Sequence, residues 1–68
     1  MLIKRRLVID VTYDVSECSQ DDIRELDRNL DHIANNASGN GLFTNHTPAT
    51  VDTWVHVVVD ADNDKIVA

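Results

Sequence analysis

Within residues 2–15, apolar residues recur at every second position from Leu7 to Val15. Leu7, Ile9, Val11, Tyr13 and Val15 fall on one side, and Val8, Asp10, Thr12 and Asp14 on the other. A period of two predicts a strand with one buried face, and its β-branched and aromatic residues suit a pleated surface. The pattern changes at Ser19. Ile23, Leu26, Leu30 and Ile33 recur at spacings of three, four and three, and Ala34 and Ala37 extend the stripe. That is the apolar face of one amphipathic helix, predicted over residues 19–36. Ser19 is a suitable N-cap, Asp22 supplies the capping-box acid three residues on, and Asp21 adds charge that favours the helix N-terminus. Asp21/Arg24, Glu25/Arg28 and Arg28/Asp31 are helix neighbours. The run Asn35, Asn36, Ser38, Gly39, Asn40 and Gly41 predicts the stop, with Gly39 as the left-handed residue that closes the helix.

Residues 38–50 predict a loop. Leu42 and Phe43 form an apolar island expected to plug the core beneath the helix end. Thr47-Pro48-Ala49 allows either an extended segment or a short helical turn capped by Thr47. Residues 53–60 predict the second strand. Val51, Thr53, Val55, Val57 and Val59 share one face, and Trp54, His56, Val58 and Asp60 the other. Apolar residues on both faces imply a strand covered on both sides. Asp60–Asp64 reads as a polar turn, and Lys65, Ile66 and Val67 return as a short third strand.

The expected fold is therefore α+β: a small β-α-β(-β) domain spanning residues 1–68, one amphipathic helix packed on a two- to three-stranded sheet. Ile23, Leu26, Leu30 and Ile33 are expected to pack on Leu7, Ile9, Val11, Val55 and Val57. A right-handed crossover makes the two long strands parallel, whereas the long loop also permits an antiparallel pair.

Sixty-eight residues bury little surface and usually require a disulfide, a metal or a partner subunit. Cys18 is the single cysteine, so an internal disulfide is ruled out and oligomerisation remains. The face bearing Val8, Trp54, His56 and Val58 is too apolar for water and is the expected dimer or partner interface, with Trp54 as its anchor.

Twelve acids against six bases give a net charge of −6. Residues 10–31 hold eight acids and two bases, whereas Lys4, Arg5 and Arg6 form a basic start. This balance disfavours direct binding to nucleic acid or to an anionic membrane and points to a basic protein partner. Asp21, Asp22, Glu25, Asp27 and Asp31 are the acids expected to meet it. They are equally the charges that keep a small protein soluble. The apolar run after Arg6 ends at Asp10, short of a signal-peptide core, so a cytoplasmic setting is expected.

Other chemistry is weakly represented. Asp60-Ala61-Asp62-Asn63-Asp64 resembles the start of a calcium loop, but Lys65 stands where an EF-hand requires glycine. His32, His46, His56 and Cys18 lack metal-ligand spacing. No nucleophile and base form a recognisable pattern, so neither an enzyme nor a cofactor is expected. Two Asn-X-Ser/Thr matches, at Asn36 and Asn45, carry no meaning without secretion.

Gly41-Leu42-Phe43-Thr44, then Thr47-Pro48-Ala49-Thr50-Val51-Asp52-Thr53-Trp54 ahead of a valine-rich strand, resembles a pattern in small acidic proteins of phages and other mobile elements, some of them anti-CRISPR proteins. The similarity covers roughly residues 23–60 and is a general pattern that assigns no functional residues. It implies a mobile-element origin, a bacterial host cytoplasm and a binding role. The expected function is a non-enzymatic inhibitor of a basic nucleic-acid-handling host protein. The alternative is an oligomeric structural or accessory protein.

Overall fold

The computed structural model describes residues 1–68. It contains one helix, α1 (Gln20–Gly39), and one antiparallel hairpin, β1 (Val59–Asp60) with β2 (Lys65–Ile66). This is a small α+β arrangement, although the β-α-β(-β) topology and a third strand are not formed.

The start of α1 follows from local chemistry. The Asp22 backbone N–H donates to Ser19 Oγ at 3.2 Å, and the Ser19 N–H donates to Asp22 Oδ2 at 3.0 Å, so the capping box closes in both directions. Arg24 pairs with Asp21 at 2.6 Å and Arg28 with Glu25 at 2.7 Å. Arg28 is thereby committed to Glu25 and leaves Asp31 to another partner.

The helix runs three residues beyond the expected Asn36. Asparagine, serine and one glycine each cost only tenths to about 1 kcal/mol in a helix, and a well-formed terminus beyond them offsets that. The Leu42 N–H donates to the Ala37 carbonyl at 3.0 Å and the Gly41 N–H to the Ser38 carbonyl at 3.3 Å. With Gly41 at φ +68°, this is a Schellman cap. The closing glycine is Gly41; Gly39, expected in that role, is helical. No atom lies within 4 Å of a Cβ built at either glycine, so backbone conformation alone decides their substitutions. Gly39→Ala is expected to stabilise the chain by about 1 kcal/mol and Gly41→Ala to destabilise it by about 1–2 kcal/mol. Chemical denaturation followed at 222 nm reads both, and the opposite pair of signs would return the cap to Gly39.

The Asp-rich turn forms the hairpin loop. Asp60 and Lys65 pair across it, the Asp64 N–H donates to the Asp60 carbonyl at 2.7 Å, and the Asp62 N–H donates to Asp60 Oδ1 at 3.0 Å. Asp64 takes φ +58°, a conformation aspartate tolerates better than most residues. Val67 and Ala68 both donate to the Val58 carbonyl, so two residues oppose one, as in a β-bulge.

The two long strands are absent as paired structure. Residues 2–14 and 50–57 make no backbone–backbone hydrogen bond. The expected core does not close either. Leu7 is 80% exposed and Val55 94%, while Ile9, Val11, Val57 and Ile33 also face solvent. Ile23, Leu26 and Leu30 are half-buried. Val58 is the one buried residue. The expectation for residues 53–60 is also inverted. The Trp54, His56 and Val58 face turns inward, while Val55 and Val57 point out.

Two magnitudes describe the result. A closed chain of this mass exposes about 4300 Å² and has a radius of gyration of about 11 Å. Here the exposed surface is 6405 Å² and the radius of gyration 14.8 Å.

Candidate binding site

The side chains that tie the C-terminal half to the helix converge around His56. Its Nε2 lies 2.6 Å from Asp31 Oδ1, linking residues 25 positions apart. A carboxylate only accepts, so the bond places a proton on Nε2. The imidazole is stacked on Trp54, with centroids 5.2 Å apart and planes within 9°. Trp54 in turn meets Phe43 edge-on at 5.7 Å. The sequence builds this group simply. Trp54 and His56 are two apart on an extended segment and so share a face, the turns after the Schellman cap bring Phe43 round, and Asp31 projects from α1. An aromatic layer of this size outweighs a row of valines, which explains why the Trp54 face was drawn inward.

The interface residues expected from sequence therefore separate. Trp54, His56 and Val58 come together, with Val58 buried and His56 half-buried, whereas Val8 stands in the N-terminal segment at 72% exposure. Phe43 and Asp31 are members of the cluster that the interface reading missed. Phe43 was visible as an apolar island, but no spacing rule connects Asp31 to His56.

The acidic face of the helix is largely engaged within the chain. Asp21 and Glu25 are paired with arginines, Asp22 is in the capping box, and Asp31 holds His56. Of the five acids, only Asp27 makes no such contact, and it is half-buried beside the apolar stripe. The three basic residues of the N-terminal segment have no carboxylate partner. Asp14 accepts from the Ser16 N–H at 3.0 Å, and that bond holds its carboxyl below the usual aspartate range. With a lowered folded value, the turn at residues 14–16 is supported above the ordinary aspartate range and loses that support as pH falls through the lowered value.

An open cleft of about 2180 Å³ lies between residues 1–15, residues 48–62 and the Leu30, Ile33, Ala34 and Ala37 stripe of α1. A smaller cavity of about 300 Å³, lined by Arg6, Leu7, Val55, His56 and Val57, separates the N-terminal segment from the C-terminal one. Both are lined mainly by aliphatic side chains and by backbone groups that pair with nothing in the chain. No group of three or more His, Cys, Asp or Glu side chains is placed to hold a metal ion, and Cys18 is an exposed free thiol. No helix is long and apolar enough to cross a membrane. No family model, curated relative or solved structure matches the chain.

Proposed function

We propose that this chain is a small acidic, non-enzymatic protein-binding module that acts by assembling on a protein partner. Its extended segments and open cleft form the binding surface. One observation carries the reading. The chain exposes about 2100 Å² more than a closed domain of its mass, and this surplus coincides with two alternating segments whose backbone groups are unpaired. Apolar side chains and free N–H and C=O groups along one edge are what β-strand addition uses. The same edge left bare invites aggregation, so a working protein covers it.

A second reading has its own support. Residues 10–68 carry twelve acids and three bases, a net charge of −9. That charge suits an inhibitor whose carboxylates stand in for phosphates in the basic groove of a nucleic-acid-handling protein. It fits the mobile-element pattern of residues 41–54 and a bacterial host cytoplasm. The internal engagement of Asp21, Asp22, Glu25 and Asp31 leaves Asp27 as the helix acid with most freedom to take part, and for that reason assembly comes first.

Salt separates the two. Affinity capture at about 50 mM and about 500 mM salt is expected to retain the partner under both conditions if apolar contacts and strand pairing hold it, because screening acts mainly on exposed charges. Ile9→Asp should abolish that capture. Capture confined to low salt, and lost in Asp27→Lys, would instead select the inhibitor. A free chain that binds nothing, and whose residues 2–14 resist hydrogen exchange, would sink both.

A further inference from the structure

We infer that the partner is a second copy of this chain, and that two copies exchange their N-terminal segments. Residues 2–15 of each copy would enter the cleft of the other and pair antiparallel with residues 51–60. This deepens the assembly reading and rests on it.

Three observations lead to a second copy. The first is the chemistry of the cleft. Its walls include an extended edge with free backbone groups and an aliphatic row, Val51, Val55 and Val57, so the occupant is a strand with apolar residues at every second position. Residues 7–15 of this chain have that pattern.

The second is charge. Lys4, Arg5 and Arg6 are unpaired cations at the start of the segment, while Asp60 and Asp62 line the far end of the cleft. Leu7 already lies across a cavity from Val57. An antiparallel register that pairs those two sets Ile9 opposite Val55, Tyr13 opposite Val51 and Lys4 opposite Asp60. The parallel alternative in the same register sets Asp10 against Asp60 and Asp14 against Asp64, and like charges directly opposite each other are disfavoured.

The third is area. A surplus of about 2100 Å² per chain amounts to about 4200 Å² in a pair, within the range of obligate dimers and well above the roughly 800 Å² per partner of a standard interface.

Exchange, as opposed to closure within one chain, follows from the hinge. The link between the segment and α1 is short. Cys18 N–H donates to the Val15 carbonyl at 3.0 Å, Ser16 N–H donates to Asp14 Oδ1, and Ser19 begins the cap at once. These bonds fix the turn from which the segment leaves the helix. A short, constrained hinge favours swapping between identical chains, and a two-fold axis makes the contact self-complementary.

Complementary charge reversal tests this on the full chain. One variant carries Lys4→Glu, Arg5→Glu and Arg6→Glu; the other carries Asp60→Lys and Asp62→Lys. Multi-angle light scattering should give a dimer for the wild type at micromolar concentration. Each variant alone should be a monomer, with dimerisation about a hundredfold weaker or worse, because both of its contacts become repulsive. An equimolar mixture should restore a dimer, because both contacts are then attractive. Circular dichroism follows the helix throughout. A variant unfolded when alone still supports the exchange if the mixture refolds as a dimer. A monomeric wild type, variants that remain dimeric alone, or a mixture that stays monomeric would each overturn it. The assembly reading survives a monomeric wild type whose residues 2–14 exchange hydrogen freely and become protected on a foreign partner. It fails together with the exchange if those amides are already protected in the free monomer.

Discussion

Trp54→Ala is expected to release residues 51–57 from the helix and to cost about 2–3 kcal/mol, somewhat below the value for a fully buried tryptophan because Trp54 is 37% exposed. The substitution removes both the stack on His56 and the edge contact with Phe43. It also frees His56 from the ring that holds it against Asp31. Most of the stability of a helix in a protein comes from packing of its apolar face, so α1 should lose ellipticity as well. Trp54→Phe, which keeps an aromatic face, should recover more than half of the loss. His56→Ala should cost about 1 kcal/mol, the usual net value of one hydrogen bond, since its partner Asp31 is partly solvated. Urea titrations of the three variants, followed by circular dichroism, give the order. A Trp54→Ala effect smaller than that of His56→Ala would mean that the His56–Asp31 hydrogen bond and not the aromatic layer ties the two halves together.

How much of this was legible in the sequence depends on the range of each interaction. The capping box, the Asp21–Arg24 and Glu25–Arg28 pairs and the Asp60–Asp64 turn all join residues within four positions of each other. Such features are set by local geometry, and they stand where the spacing placed them. The helix stop was misplaced because Gly39 and Gly41 satisfy the same preference. The positive φ of Gly41 and the backbone hydrogen bonds of Leu42 and Gly41 distinguish them. The long-range contacts were least visible. Alternation showed that residues 53–60 have two faces without showing which one turns inward. A row of valines looks like core until an aromatic pair and a helix carboxylate compete for the same position. Alternation in residues 2–15 likewise described a strand expected to pair with residues 53–60, and that pairing does not form within the chain. Of the acidic residues, sequence identified the charges correctly but could not show that four of the five candidate helix acids are held by the chain's own groups.

Proline substitution in the N-terminal segment should produce the largest effect on assembly and a small one on the isolated chain. The N–H groups of residues 2–14 make no hydrogen bond in the monomer, so proline removes none there. In a two-stranded antiparallel pairing, the N–H groups of alternate residues face the same edge. Val8→Pro and Asp10→Pro therefore probe one edge, and Ile9→Pro and Val11→Pro the other, each compared with alanine at the same position. One pair should weaken assembly by about a hundredfold or more, since every lost donor leaves an acceptor unsatisfied at about 1–3 kcal/mol and a two-fold dimer counts it twice. The other pair should fall within a few-fold of its alanine controls. Sedimentation velocity across a concentration series measures both. Equal losses at all four positions would indicate a segment paired on both edges, with strands on either side. No loss at any of them, with assembly intact, would mean that side chains alone hold the copies together and that the free backbone of residues 2–15 does not take part.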